Sequence, residues 1–202
     1  MKTTHITLTR LKKSIERDEV QWVSNALMHA KQEVVNDATY FAYLNEHFAC
    51  FQILAPKMSI ENSYNIIKLS CEYLDLEYFK VLMSLPQQPK TLERMICYAA
   101  REDFFEGFSW GVETFHTAID GSKIMLEALQ NGPHYVDVAY QYFPQSSDYG
   151  LNNINGFRNR MNSSPENLSV IDSSIERLKA LITQTALVNT IDTSEHHRGR
   201  KI

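Results

Sequence analysis

The chain has few of the residues that interrupt regular secondary structure. Its 202 residues include only 7 Gly and 6 Pro, whereas β-meanders with tight turns need more turn residues than that. Alternation of apolar and polar residues, which is typical of strands, is hard to find. Apolar residues instead recur with a period near 3.6. We therefore expect an all-α protein.

Paired cysteines are also absent from the sequence. The three cysteines, Cys50, Cys71 and Cys97, are far apart and form no CxxC pair, which argues against a zinc or redox centre. Cys50 follows His47 by three residues, so the two could share a helical face. Because Cys50 lies in an apolar run, we interpret it as a core thiol. All three are expected to be buried, reduced thiols.

No apolar run approaches the roughly 20 residues that cross a bilayer. The N-terminal segment lacks the apolar core of a signal peptide. We therefore expect a cytoplasmic protein with no membrane insertion. The formal net charge of −4 argues against nucleic acid as a partner, since proteins that bind nucleic acid usually present a basic face.

The common catalytic motifs are missing as well. HExxH, P-loop, GxGxxG and GxSxG patterns do not occur. Four glutamates, Glu16, Glu46, Glu72 and Glu102, could suggest acid–base pairs. They recur at a near-constant spacing along the chain, which favours a row of solvent-facing residues in a repeat. We expect a non-enzyme without cofactor or metal.

What the sequence does contain is a recurring pair of short amphipathic segments. In the first pair, Leu11 and Ile15 lie on one face, and Val20 and Val23 follow after a polar elbow. Neither segment is long enough to be stable alone. An alignment on a small first-segment position gives spacings of 30, 26, 29 and 29 residues, through Ser14, Leu44, Ser70, Ala99 and Ala128. The corresponding elbows are Asp18, Phe48, Leu74, Asp103 and Gly132.

These segments resemble ankyrin repeats. The segment from Ile67 to Met83 has the apolar, small, Leu-Glu (Leu76 and Glu77) and aliphatic positions of the ankyrin pattern, and Gly132 falls on its elbow glycine. The Thr-Pro-Leu-His tetrapeptide is absent, four elbows lack glycine, and the period is shorter than about 33. The resemblance implies an α-solenoid of about five stacked helix–turn–helix repeats over residues 1–143. TPR and HEAT arrays are alternatives with poorer period matches.

The pattern stops after Pro144. Residues 144–163, rich in Ser, Asn and Gly, are predicted to form a loop. Ser164 is a plausible N-cap with Pro165 at the first helical position. An apolar stripe follows at Leu168, Ile171, Ile175, Leu178 and Ile182. We expect a helix over 164–189, either capping the array or forming a homodimer, and a flexible tail at 190–202.

The ankyrin resemblance implies a protein–protein interaction scaffold that binds through its concave face. The two residues before each elbow would line that face: Glu16, Arg17, Glu46, His47, Glu72, Tyr73, Arg101, Glu102, Gln130 and Asn131. Degenerate arrays of this size are common among secreted bacterial effectors, which would place the chain in a host cytosol. The alternative is an enzyme, or an inhibitor of one, that uses the 145–166 loop with Arg158 and Arg160.

Overall fold

The computed structural model describes residues 6–160 and 164–198, although the side chains of 157, 159, 160 and 189–198 lie outside this description. The described residues are helical, with no strand among them, which confirms the all-α prediction. The chain divides into two compact units, residues 1–88 and 89–202. The division falls inside the segment 1–143 that the sequence predicts as a single array.

The described residues of the first unit form three helix pairs. A 3₁₀ turn, Ala55–Lys57, follows the fourth helix. Each helix packs against its pair partner, and α1 and α5 both pack against α3, while α2 packs against α4. The helices are α1 (Leu8–Glu16), α2 (Val20–Leu27), α3 (Gln32–Leu44), α4 (Phe48–Leu54), α5 (Ile60–Glu72) and α6 (Leu76–Met83).

The second unit contains two further pairs and two additional helices. Helix α9 is central, because it packs against α7, α10, α11 and α12. Its apolar side chains Ile124, Met125 and Leu129 are fully buried. The helices are α7 (Pro89–Arg101), α8 (Phe105–Phe115), α9 (Gly121–Asn131), α10 (Pro133–Tyr142), α11 (Ser147–Arg160) and α12 (Pro165–Arg198).

Four elbows share one backbone geometry, the Schellman motif. A residue with positive φ follows the first helix of each pair, and its N–H donates to the carbonyl three residues earlier. The next N–H donates to the carbonyl five residues earlier, as from Glu19 to Ser14 at 2.9 Å and from Asp75 to Ser70 at 2.7 Å. The positive-φ residues are Asp18 (51°), Glu46 (59°), Leu74 (57°) and Asp103 (56°), with Gly132 at 134° in the fifth elbow. Their spacings are 28, 28, 29 and 29 residues.

The structure corrects the sequence alignment at the second elbow. The elbow residue there is Glu46 and not Phe48, which begins α4. The buried small residue whose carbonyl accepts the long Schellman bond is Ala42, while Leu44 is 53% exposed. At the other three Schellman elbows this position is occupied by the residues named from sequence, Ser14, Ser70 and Ala99, all buried.

The residues five positions after each Schellman elbow form part of the core. Val23, Phe51, Phe79 and Phe108 occupy this position, and each is fully buried. Neither helix of a pair is long enough to be stable in isolation. Burial of these side chains, at about 25 cal/mol per Å² of apolar surface, therefore supplies much of the stability of each pair.

The predicted loop is wrong over residues 144–160, while 161–163 lie outside the described residues. A 3₁₀ turn, Pro144–Ser146, leads directly into α11, a helix of 14 residues. Gly150 explains how so polar a helix packs, because a Cβ atom there would lie 2.8 Å from Met125 Cγ of α9. Ile154, one turn later, is 1% exposed. Packing against α9 therefore outweighs the low helix propensity of this segment.

The start of α12 is as the sequence predicts. Ser164 Oγ accepts from the N–H of Asn167 at 3.3 Å, and Pro165 is the first helical residue. Ile171 and Leu178 of the apolar stripe are buried, and α12 packs against α9, α10 and α11. The predicted helix end at 189 is wrong, since α12 extends to Arg198. The rest of the predicted tail, residues 199–202, lies outside the described residues. No helix of the described residues is both long and apolar enough to cross a membrane.

Candidate partner-binding surface

The ten residues predicted to bind a partner are divided between the two units, with Glu16, Arg17, Glu46, His47, Glu72 and Tyr73 in the first. Glu16, Arg17, Glu46 and Glu72 are exposed, and Tyr73 is 70% exposed. Because the second elbow is Glu46, the two residues before it are Leu44 and Asn45. The placement of Glu46 and His47 before the elbow is therefore wrong by two positions, while their role in partner binding stays a prediction.

In the second unit, the side chains of three of the four predicted residues form hydrogen bonds or an ion pair within the chain. Arg101 forms a two-pronged ion pair with Glu127, with Nε to Oε1 at 2.8 Å and Nη2 to Oε2 at 2.6 Å. Asn131 Nδ2 donates to the Glu127 carbonyl at 2.9 Å, and Gln130 Nε2 donates to the Leu126 carbonyl at 3.0 Å. Glu102 is half-buried. Their arrangement stabilises α7 and α9, and so favours a structural role.

A groove of about 480 Å³ lies between α3 and α5 of the first unit. Its walls combine amide and charged side chains with a few apolar ones. Asn36 Oδ1 accepts from the backbone N–H of Ser59 at 3.0 Å, which fixes one wall to the start of α5. Tyr40, Asn62, Asn65, Ile66, Leu69, Asp37, Lys68 and Glu72 complete the lining.

Exposed apolar side chains extend this groove toward the elbows. Tyr40 and Leu44 are 43% and 53% exposed and lie one turn apart on α3. Tyr73 and Leu74, which follow α5 directly, are 70% and 55% exposed. We call the groove lining together with Leu44, Tyr73 and Leu74 the α3/α5 face. It combines apolar anchors with polar groups, as protein-binding surfaces do.

The charges at successive elbows of the first unit differ in arrangement. Asp18 is the first elbow residue, and His47 directly follows the second one. Asp18 Oδ1 lies 3.0 Å from His47 Nδ1. The corresponding residues at the second and third elbows are Glu46, the elbow residue, and Asp75, which follows the elbow residue Leu74. Both are acidic. Burial, together with the charges of Glu46 and Glu77, raises the pKa of Asp75. Among the described residues, neither Glu46 nor Asp75 forms an ion pair.

A buried phenol lies beside this acidic pair. Tyr78 is 6% exposed, and its hydroxyl has no hydrogen-bond partner among the described residues. Its ring packs edge-on against Tyr43, Phe48 and Phe51, with centroid distances of 4.9, 5.0 and 4.7 Å. Burial, and then the charges of Asp75 and Glu46, raise the pKa of Tyr78 to about 12. The hydroxyl therefore stays protonated at neutral pH. The sequence analysis did not identify this tyrosine.

The structure also bears on the other sequence-based candidates. All three cysteines are buried and free, as predicted. Burial raises the pKa of Cys50, which disfavours a nucleophilic thiolate, and among the described residues no hydrogen bond joins Cys50 to His47. Arg158 lies in α11 and contacts Asp172 of α12 at 3.1 Å. The side chain of Arg160 lies outside the described residues.

No protein-family model, curated protein or solved structure matches this chain. The resemblance to ankyrin repeats therefore remains a prediction from the sequence pattern.

Proposed function

We propose that this chain is a protein-binding module, an ankyrin-like array of helix pairs that holds a segment of a partner protein on its α3/α5 face. The observation that carries the proposal is the exposure of Tyr40 in the groove, of Leu44 one turn further along α3, and of Tyr73 and Leu74 directly after the groove residue Glu72. Large apolar side chains grouped in this way are typical of interaction sites.

The chemistry of the groove suits a peptide segment. Asn36, Asn62 and Asn65 line it, and an amide side chain can both donate to and accept from a peptide backbone. Asp37 and Glu72 add negative charge, with Lys68 as the one basic residue in the lining. This balance favours a partner segment that is apolar and carries positive charge.

Peptide display on the immobilised full chain tests the proposal. We expect the wild type to enrich a related set of peptides from a random library. The double variant Leu44→Ser, Tyr73→Ser should weaken their binding by at least about tenfold, because exposed aromatic and aliphatic anchors contribute most of the energy at such surfaces.

Met28→Ser is the matched control. Met28 is also a large apolar residue of the first unit and is 77% exposed, but it follows α2, outside the groove. Its substitution should leave peptide binding unchanged. Failure of the wild type to enrich any peptide, or equal binding by the double variant, would refute the proposal.

A further inference from the structure

The side chains around Tyr78 form a second feature of the first unit, which we call the Tyr78 cluster: Tyr43, Glu46, Phe48, Asp75 and Tyr78. Glu46 and Asp75 come from successive elbows. The rings of Tyr43 and Phe48 pack against Tyr78 at 4.9 and 5.0 Å. The cluster thus combines two carboxylates with aromatic rings and a hydroxyl that has no partner among the described residues.

The elbow geometry provides an internal comparison. Between the first and second elbows, the positive-φ residue Asp18 is matched by His47, a side chain able to carry positive charge, at 3.0 Å. Between the second and third elbows, Glu46 is matched by a second carboxylate, Asp75. When both carboxylates are ionised, their like charges repel each other. Among the described residues, the chain therefore supplies a basic partner for the acid at the first step and none at the second.

We propose that the Tyr78 cluster binds a lysine or arginine side chain of the partner protein held on the α3/α5 face, an inference that rests on the proposed function. An ammonium or guanidinium group donates several N–H bonds and accepts none. It would donate to the two carboxylates, both of which can accept, and it would lie next to the buried Tyr78 hydroxyl. The aromatic rings would add the attraction of a cation to a π face.

The position of the cluster connects it with the docking surface. Tyr73 and Leu74 belong to the α3/α5 face and immediately precede Asp75. Leu44 of the same face lies two residues before Glu46. A partner segment whose apolar side chains contact Leu44 and Tyr73 therefore has a cationic neighbour within reach of Glu46 and Asp75.

Nuclear magnetic resonance titration of the full chain tests the inference without knowledge of the partner. The probe is acetyl-arginine amide, and acetyl-citrulline amide, which has the same shape without the charge, is its control. We expect the arginine probe to shift the amide signals of Glu46, Asp75 and Tyr78 saturably, with a Kd in the range of about 1 mM. The citrulline probe should leave them unshifted at the same concentration.

Variants assign the binding to the cluster. Glu46→Gln with Asp75→Asn should weaken arginine binding by at least about tenfold, because charge-assisted hydrogen bonds are lost. Asp18→Asn is the matched control, since its carboxylate already faces His47, and should leave the affinity unchanged. Both proteins are compared by circular dichroism melting to confirm that they fold. Equal response to the citrulline probe, or full affinity in the double variant, would overturn the inference.

Peptide display separates this inference from the function on which it rests. Enrichment of peptides with lysine or arginine, lost in the Glu46→Gln, Asp75→Asn variant, supports both. Enriched peptides that lack basic residues uphold the docking surface and overturn the cationic site. A failure to enrich any peptide refutes the docking surface, and the arginine titration then decides whether the cluster binds cations on its own.

Discussion

The two units treat their acidic side chains differently. In the second unit the buried carboxylates Glu93 and Glu127 are each paired with a base of the same chain, Lys123 and Arg101, at 2.6 Å. In the first unit Glu46 and Asp75 lie at successive elbows, where the charge of Glu46 helps to raise the pKa of Asp75, and neither forms an ion pair among the described residues. The second unit is therefore built around internal pairing, while the first leaves negative charge and apolar side chains for another molecule. The following changes test this contrast.

The largest effect is expected from breaking an internal pair. Arg101→Ala would leave the buried Glu127 carboxylate without its two-pronged partner, and we expect a loss of about 2–3 kcal/mol in the free energy of unfolding. Urea denaturation measures this loss. Lys179→Ala, which breaks the exposed pair with Glu176, should cost less than about 0.5 kcal/mol. Similar losses for the two variants would contradict the structural role of Arg101.

Glycine at the elbows should have opposite effects in the two units. Leu74→Gly in the first unit relieves a positive φ of 57° and should stabilise the chain by about 1 kcal/mol. Asp103→Gly in the second unit likewise removes the strain of a positive φ. It also removes Asp103 Oδ1, which accepts a hydrogen bond from the Tyr135 hydroxyl at 3.1 Å. Since Tyr135 is fully buried, the net effect should be a loss of about 1 kcal/mol. Thermal melts of both variants would show whether the signs differ.

Asp75→Asn should stabilise the first unit and change its response to pH. The raised pKa of Asp75 means that ionisation of this carboxyl costs stability as the pH rises from about 4 through the raised value. The variant should therefore gain up to about 1 kcal/mol at pH 7, with the gain vanishing below pH 4. Urea denaturation at several pH values measures it. A gain that is independent of pH would show that charge is not the cause.

The smallest effect is expected at the paired elbow. Asp18→Asn keeps a side chain that tolerates positive φ but removes the charge that faces His47. Because the Asp18 side chain is 63% exposed, the loss should be only about 0.3 kcal/mol. Its sign, opposite to that of Asp75→Asn, is the informative quantity in a paired denaturation experiment. A gain in stability at both positions would remove the distinction between the two steps.

The sequence predicted those features that depend on local pattern. The elbows at Asp18, Leu74, Asp103 and Gly132 follow from the change of apolar stripe between two short segments. The predicted second elbow is wrong because the alignment assigns Leu44 to the small first-segment position, which Ala42 occupies, whereas Leu44 is 53% exposed. An exposed leucine near a helix end breaks the pattern on which the alignment depends.

Features that depend on tertiary packing could not be predicted in this way. Helix α11 carries two glycines and several asparagines, and its local composition is that of a loop. Its conformation depends on contact with α9, which the chain order does not reveal. The Tyr78 cluster likewise requires two elbows to lie close together. Its tyrosine is indistinguishable in sequence from any other core aromatic residue.

Helix α12 has a consequence for how protection from hydrogen exchange should vary along it. Its 34 residues would extend about 51 Å at 1.5 Å per residue, but its last buried residue with a described side chain is Leu178, and residues 183–188 are exposed on all sides. The backbone bonds up to Ile182 share the stability of the second unit. Those of residues 183–188 have no buried side chain to stabilise them, although the Tyr140 hydroxyl donates to Thr185 Oγ1 at 3.0 Å, and helix propensity by itself is marginal in water. Amide protons should therefore exchange slowly up to about Ile182 and much faster over the following six residues.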